Sequence, residues 1–169
     1  MAEVILRPMT VGDTGELVRI TAATEFFRPD EVVVAQEVLS EGAVKGEASG
    51  YHTLVAADGT QTLGYVCFGP IPLTQGAWDI YWIAVDPRHQ GRGVGRRLMV
   101  RAEEAIGCQG GRLVLVETSS QALYEPTRGF YRSLGYREVS CIPDFYDVGD
   151  AKVTFAKALS LGGAKAMPP

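Results

Sequence analysis

"WDIYWIAVDPRHQGRGVGRRLM", residues 78–99, passes from a strand-like run to a helix-like run through a loop rich in glycine and arginine. Residues 78–85 are rich in aromatic and β-branched side chains, a composition typical of a strand. Beyond the loop, apolar residues recur at helical spacing, which predicts an amphipathic helix through Val94, Leu98, Ala102, Ala105 and Ile106. The glycine loop (residues 88–97) holds three glycines and four arginines, in a chain whose formal net charge is −4. Positive charge and bare backbone are therefore concentrated at the start of a helix.

The glycine loop has the composition of an anion-binding site. A helix N-terminus presents unpaired N–H groups and the positive end of its dipole, and glycine lets an anion approach the backbone. A P-loop would continue as Gly-Lys-Ser/Thr, whereas Gly95 is followed by Arg96 and Arg97. The G-x-G-x-x-G spacing of dinucleotide sites is absent, although Glu117 lies where a ribose-binding acid is expected. Phosphate binding is the favoured interpretation, with an NAD site and a merely solvated loop as alternatives.

The remaining chain alternates between strand-like and helix-like runs. Strands are predicted at 3–9, 51–57, 62–69, 78–85, 112–118, 137–142 and 152–159. Helices are predicted to begin at Gly12 or Asp13, at Pro29, at Val94 and at Pro126, and the second of them to stop at the glycine-rich stretch 41–50. The order β-α-α-β-β-β-α-β-α-β-β predicts an α/β (α+β) fold with a mixed central sheet flanked by helices.

Composition and charge narrow the class of protein further. The chain has 169 residues, which fits one domain over 1–160 followed by a flexible tail over 161–169. An acidic balance argues against a nucleic-acid partner. The chain shows neither the pattern of a signal peptide nor an apolar run long enough to cross a bilayer, so we expect a cytoplasmic protein without a membrane partner. Its three cysteines are widely spaced and form no C-x-x-C pair, so no metal is expected.

Two motifs resemble those of one enzyme family. Residues 90–95, "QGRGVG", match the Q/R-x-x-G-x-G/A signature of the GNAT acetyltransferase superfamily, and "GFYRSLGYRE" resembles that family's FY-x-x-x-G-F/Y segment. The resemblance covers about residues 3 to 159 and implies an acyl-CoA fold with a mixed, mostly antiparallel central sheet. It implies acetyl-CoA as co-substrate, with the acetyl and pantetheine groups on the main chain of Ile83, Ala84 and Val85. The pyrophosphate would bind to Gln90, Gly91, Arg92, Gly93, Val94, Gly95 and Arg96.

Two residues are candidates for proton transfer. The attacking amine must be neutral, and the departing CoA thiolate needs a proton. By the resemblance, Asp79 takes the place of the family's glutamate base and would act through a water; Glu25 and Glu117 are alternatives. Tyr131 matches the tyrosine of the FY-x-x-x-G motif, and a phenol is protonated at neutral pH. The structural alternatives are a strand-edge aspartate and a core tyrosine.

Several polar residues are candidates for contact with the acceptor. Tyr124 stands where the family often has an asparagine that contacts the pantetheine arm. It is therefore a candidate acceptor residue, together with Glu25 and Glu125. Residues 143–150, "PDFYDVGD", are predicted to form a polar loop, in which Asp144 with Asp147 and Asp150 either attracts a cationic amine or remains solvated.

The resulting hypothesis is an acetyl-CoA-dependent N-acetyltransferase acting on a primary amine of a small-molecule or amino-acid-like acceptor. Direct transfer is favoured because Cys67, Cys108 and Cys141 do not stand where an acyl intermediate is expected. A non-catalytic acyl-CoA-binding sensor or interaction module is the alternative, since it requires the glycine loop but neither Asp79 nor Tyr131. A homodimer is compatible with both hypotheses.

Overall fold

The computed structural model describes residues 4–160, which are organised around one seven-stranded sheet. The strands are β1 (Val4–Pro8), β2 (His52–Asp58), β3 (Gln61–Pro70), β4 (Ala77–Val85), β5 (Leu113–Ser119), β6 (Arg137–Asp147) and β7 (Asp150–Ala158). Their order is β1-β2-β3-β4-β5-β7-β6, and every neighbouring pair is antiparallel except β4 and β5. The predicted mixed, mostly antiparallel sheet is confirmed. A dinucleotide-binding fold needs a largely parallel sheet, so the topology removes the NAD alternative.

Helices cover both faces of the sheet. They are α1 (Thr14–Ala23), α2 (Pro29–Lys45), α3 (Val94–Cys108) and α4 (Glu125–Ser133). Buried Leu17 and Ile20 of α1 and Leu39 of α2 pack with Val55 and Tyr65 on one face. On the other face, the apolar side of α3 joins a larger core with the inward residues of β3, β4, β5 and β7. The predicted order of strands and helices is thus confirmed, while Glu3 of the first predicted strand and the predicted tail at 161–169 lie outside the described residues.

The second helix ends within the predicted glycine-rich stretch 41–50, but not at its first glycine. It continues through Gly42 to Lys45, and Gly46, with a φ of 57°, is its C-cap. A glycine costs an exposed helix only about 1 kcal/mol relative to alanine, an amount that packing can outweigh. A Cβ built on Gly42 would lie 3.4 Å from the Cβ of Tyr51, so the missing side chain lets α2 pass close to the chain that enters β2.

Strands β4 and β5 diverge after a short parallel pairing. They pair only from Ala77 to Ile80 on β4, opposite Leu113 to Val116 on β5. On the other side of β4, Trp82 pairs with Cys67 and Ile80 with Phe68, so Tyr81 is an extra residue that forms a β-bulge. Such a bulge bends its strand and increases the local twist. Beyond it, β4 pairs with β3 while β5 continues against β7, which opens a wedge between β4 and β5.

The predicted polar loop at 143–150 is instead mostly a hairpin. β6 extends to Asp147 and β7 begins at Asp150, so Val148 and Gly149 alone form the turn. The pairing of β6 with β7 is irregular between Ile142 and Asp147. Within this irregular segment Asp144 has a φ of 51°, and its carboxylate accepts a hydrogen bond of 2.7 Å from the Gly149 N–H in the turn.

No helix within residues 4–160 is long and apolar enough to span a lipid bilayer.

Candidate active site

A cleft of about 1040 Å³ opens where β4 and β5 diverge. One wall carries the segment between α1 and α2, β4 beyond Ile80, and the glycine loop with the start of α3. The opposite wall carries the end of β5, the first turns of α4 and the β6–β7 hairpin. The wedge therefore brings the glycine loop, α4 and the hairpin around one space, although they are far apart in sequence.

Two different structural requirements explain why the loop has glycine at these three positions. Gly91 and Gly93 have positive φ angles of 72° and 78°, which side-chain-bearing residues rarely adopt. Gly93 is also the N-cap of α3, so the N–H groups that follow it have no acceptor within the helix. At Gly95 a Cβ would lie 3.3 Å from Cζ of Phe130 on α4, so this glycine allows close packing across the cleft. The loop thus presents bare backbone N–H groups and a helix dipole, a combination that suits a phosphate.

Two of the loop's four arginines are engaged in the protein itself. Arg88 forms an ion pair of 2.7 Å with Asp86, whose side chain is 1% exposed. The same carboxylate pairs with Arg19 of α1 at 2.6 Å, which ties the base of the loop to that helix. Arg97 donates a hydrogen bond of 2.7 Å to the Val4 carbonyl on β1. Both arginines therefore hold the scaffold beneath the cleft.

The other two loop arginines differ in position, because Arg96 is among the cleft-lining residues and Arg92 is not. Arg96 lines the cleft and donates a long hydrogen bond of 3.3 Å to the carbonyl of Ser133. Arg92 lies at the outside of the loop, 3.5 Å from the ring of His89. Gln90 donates from its side chain to the Val85 carbonyl at 3.1 Å, which joins the loop to the end of β4.

Beyond the bulge, the cleft edge of β4 offers unpaired backbone. Ile83, Ala84 and Val85 line the cleft and pair with β3 on their other side only. An extended ligand arm can add to such an edge as a further strand would. The predicted acetyl and pantetheine residues therefore share the cleft with the glycine loop.

Tyr131, the predicted acid, lies in the opposite wall. Its ring is 5% exposed and packs against Phe130, Tyr136 and Phe155, with centroid distances of 5.6, 6.0 and 6.1 Å. Its hydroxyl makes no hydrogen bond with another described residue, although the side chain lines the cleft. Burial raises the pKa of Tyr131 above its ordinary value of 10.0, so the phenol keeps its proton throughout the neutral range.

The three candidate bases differ in their position. Glu25, in the segment between α1 and α2, is exposed and lines the cleft. Glu117, at the end of β5, is exposed, lines the cleft and pairs with Lys152 at 3.0 Å. Asp79 is half-buried, opposite Leu115 on β5, and is not among the cleft-lining residues. Burial, and then the negative charge of Glu117, raise the pKa of Asp79, and Lys152 partly offsets this effect.

The four predicted acceptor residues divide into two pairs. Glu25 and Tyr124 line the cleft, and the Tyr124 hydroxyl donates to the Phe26 carbonyl. Glu125 lies outside the cleft lining because its carboxylate pairs with Arg128 at 2.7 Å and with Arg132 at 2.9 Å. Asp144 also lies outside it, in the hairpin contact already described.

Sequence reasoning missed Phe26 and Glu31, which line the cleft. It also did not indicate the contacts that three other residues make at the acceptor end. Tyr146 lines the cleft, and burial, assisted by the charge of Glu117, raises its pKa to about 12. Arg128 is 8% exposed and donates to the Ser119 and Gln121 carbonyls at 2.5 and 3.0 Å, while Asp150 accepts from the Ser119 hydroxyl at 2.5 Å. These contacts fix the turn between β5 and α4. The spacing of Glu125 and Arg128 is a local signal for their ion pair, but no local signal indicates the backbone partners of Arg128.

The cleft has opposite charge at its two ends. Five carboxylate side chains line its acceptor end, namely Glu25, Glu31, Glu117, Asp147 and Asp150, while Arg28 is the cationic side chain that lines it there. Residues 4–160 contain no cluster of histidine, cysteine and acidic residues that could hold a metal ion. The arrangement suits an anion at the glycine loop and a cation at the carboxylates.

Comparison with known proteins identifies close relatives. Residues 49–138 match the family model described as acetyltransferase (GNAT) domain. A GNAT-family protein from Desulfovibrio desulfuricans superposes with a TM-score of 0.90 at 38% identity, covering 92% of this chain and 99% of that one. The structure of YncA from Salmonella typhimurium with its cofactor acetyl-CoA has a TM-score of 0.75 at 19% identity, over 97% and 99% of the two chains, and so shows the same fold.

Curated relatives are matched over part of their length. The N-alpha-acetyltransferase RimI of Mycobacterium tuberculosis is 30% identical over 101 residues, 59% of this chain and 61% of RimI. An uncharacterised Mycobacterium leprae protein is 31% identical over 108 residues, which are 62% of this chain and 28% of that protein.

Proposed function

Because this chain belongs to the GNAT acetyltransferase family, we propose that it transfers the acetyl group of acetyl-CoA directly to a primary amine of a small cationic acceptor. The observation that carries this proposal is the cleft between β4 and β5, where a helix N-terminus with glycine-only backbone meets a buried phenol and a set of carboxylates.

The glycine loop and the β4 edge fit acetyl-CoA. The N–H groups that follow Gly93 would bind the pyrophosphate, and Arg96 adds positive charge from the cleft wall. Each hydrogen bond to a charged acceptor contributes about 1.5–3 kcal/mol, so a few fixed amides suffice to anchor this group. The unpaired edge of β4 at Ile83 and Ala84 would hold the pantetheine arm and the acetyl carbonyl.

Proton transfer would use one residue from each side of the reacting centre. The amine nitrogen attacks the thioester carbonyl carbon, the carbon–sulfur bond breaks, and the thiolate takes the proton of the Tyr131 hydroxyl. Burial keeps that hydroxyl protonated, and it has no competing hydrogen bond within the described chain. Glu117, which lines the cleft as Glu25 does and Asp79 does not, would accept the proton of the amine, directly or through a water. Exchange with solvent would then remove this proton from Glu117 and return one to the Tyr131 phenolate, which restores both groups.

Direct transfer is supported by the positions of the thiols. Cys67 is buried in β3, Cys108 ends α3, and Cys141 lies on the edge strand β6. These cysteines are not among the cleft-lining residues. We expect mass spectrometry after incubation with acetyl-CoA alone to show no acetylated cysteine that can pass its acetyl group to an amine.

The acceptor class follows from the charge at the far end of the cleft. Five carboxylates, opposed by Arg28 and by the Lys152 that pairs with Glu117, would raise the local concentration of a cationic amine. Exposed charges are screened over about 10 Å at 0.1 M salt, so this attraction should weaken as salt is added.

The test is a panel of alkyl amines, amino acids, polyamines, aminoglycosides and peptides, assayed by acetyl-CoA-dependent release of free thiol at two salt concentrations. We expect a cationic acceptor whose apparent KM rises with salt, and rises less in Asp147→Asn. Glu104→Gln on the outer surface of α3 is the matched control and should behave as wild type. Absence of turnover with every amine, or a strong preference for an anionic acceptor, would contradict the proposal.

A further inference from the structure

We infer that Tyr124 and Phe26 form a bridge over the acceptor end of the cleft that selects slender, unbranched amines against bulky ones. This inference rests on the proposed function and adds the shape of the acceptor to it.

The bridge connects the two walls of the wedge. Phe26 belongs to the segment between α1 and α2, and Tyr124 lies between β5 and α4, 98 positions away in sequence. The Tyr124 hydroxyl donates to the Phe26 carbonyl, and the two rings are tilted against each other with a centroid distance of 5.7 Å. Both side chains line the cleft and are partly buried. A contact between opposite walls closes part of the mouth into a ring.

Neighbouring side chains make the ring narrower. Tyr146 from the hairpin and Glu31 from α2 also line this end. An unbranched chain can pass such a ring, whereas a wide group needs the bridge to open.

The geometry distinguishes this role from contact with the pantetheine arm. Tyr124 directs its hydroxyl across the cleft and donates its hydrogen bond to the backbone carbonyl of Phe26. A residue that served acetyl-CoA would affect all acceptors alike, whereas a bridge affects only those that must displace it.

Two amines with the same charge and the same first four carbons provide the test: hexylamine and 4-cyclohexylbutylamine. The readout is the ratio of kcat/KM for the cyclohexyl amine to kcat/KM for hexylamine. Tyr124→Phe should raise this ratio about twofold to tenfold, the range that one neutral hydrogen bond is worth, because opening the bridge becomes easier. Tyr124→Ala and Phe26→Ala should raise it further. The double variant should match the larger single effect because both remove one bridge.

Tyr51→Phe is the matched control, since it removes a phenol hydroxyl outside the cleft lining and should leave the ratio unchanged. Thermal unfolding establishes that each variant is folded, and Tyr124→Phe keeps the proposal testable if Tyr124→Ala does not fold. An unchanged ratio in folded Tyr124→Phe would overturn the bridge, as would an equal change for both amines through the KM for acetyl-CoA. Wild-type failure on hexylamine while other amines react would also overturn it, whereas failure on every amine would overturn the proposed function instead.

Discussion

Replacing Tyr131 by phenylalanine separates an acetyltransferase from a protein that only binds acyl-CoA. The substitution removes one hydroxyl and keeps the ring, which packs within 5.6 to 6.1 Å of Phe130, Tyr136 and Phe155. Because that hydroxyl has no hydrogen-bond partner among residues 4–160, no contact within the described chain is lost. We therefore expect the free energy of unfolding to change by less than about 0.5 kcal/mol.

The catalytic effect should be far larger than the effect on stability. A positioned general acid contributes about 10²–10⁴-fold to rate, which corresponds to roughly 2.7–5.5 kcal/mol in activation free energy. We expect Tyr131→Phe to lower kcat by about this factor, while the Kd for CoA stays within about twofold, since the glycine loop and the β4 edge are untouched. A protein that only binds acyl-CoA would show no turnover in either the wild type or the variant.

The assay combines free-thiol release with titration calorimetry for CoA and thermal unfolding. Tyr136→Phe is the matched control, because that buried tyrosine contacts the Tyr131 ring at 6.0 Å but does not line the cleft. Its kcat should equal that of wild type. An undiminished kcat in folded Tyr131→Phe would refute the assignment of Tyr131 as the acid.

Two further substitutions test the glycine loop and its support. Gly95→Val should weaken acetyl-CoA binding about tenfold or more without unfolding the protein, because its Cβ would lie 3.3 Å from Phe130 Cζ. Calorimetry measures the Kd for acetyl-CoA, and thermal unfolding shows that the variant is folded. Wild-type affinity in the folded variant would contradict the role of the loop. Asp86→Asn should lower the free energy of unfolding at pH 7 by about 1–3 kcal/mol, because the buried carboxylate accepts charged hydrogen bonds from Arg88 and Arg19. The hydrogen bond from Arg88 is the main cause that holds the pKa of Asp86 below its usual range, so this stabilisation is present above about pH 3.9 and is lost as the pH falls further. Urea unfolding at pH 7 and pH 3 should therefore show the difference between wild type and variant shrinking at pH 3, and an equal difference at both would contradict the argument.

The order of strands and helices was predictable from local patterns, and its deviations have non-local causes. Alternating and helical apolar spacing identified all the strands and helices of the sheet and its covering layers. The glycine-rich stretch 41–50 does end α2, but sequence did not indicate which glycine ends it. The helix passes Gly42, which packs closely against Tyr51, and stops at Gly46. The loop predicted at 143–150 was wrong because its turn is stabilised by the carboxylate of Asp144. Composition alone describes such acids as solvated.

In the candidate site, too, features set by neighbouring residues were predictable, whereas contacts between residues far apart in sequence were not. The glycine alternation predicts an anion site at the start of a helix, and the left-handed φ angles of Gly91 and Gly93 are a further reason for glycine there that the sequence analysis did not consider. The arginines could not be sorted by sequence, because the partner of Arg97 is Val4, 93 positions away. Likewise, sequence could not decide whether Asp79 or Glu117 is the base. Only the folded structure shows that β4 and β5 diverge at the bulge at Tyr81 and that Glu117, not Asp79, lines the resulting cleft.

An acidic chain can be suited to a polyanionic co-substrate because its two kinds of charge are used differently. Arg88 and Arg97 hold the glycine loop against Asp86 and β1, so they contribute chiefly to its rigidity. A loop held in this way presents backbone N–H groups whose directions are fixed before the ligand arrives, and binding then requires little ordering of side chains. The carboxylates, by contrast, project from side chains at the opposite end, where they can attract a cation without meeting the phosphates. On the proposed function, the glycines bind the anion, and two of the four arginines support the glycines.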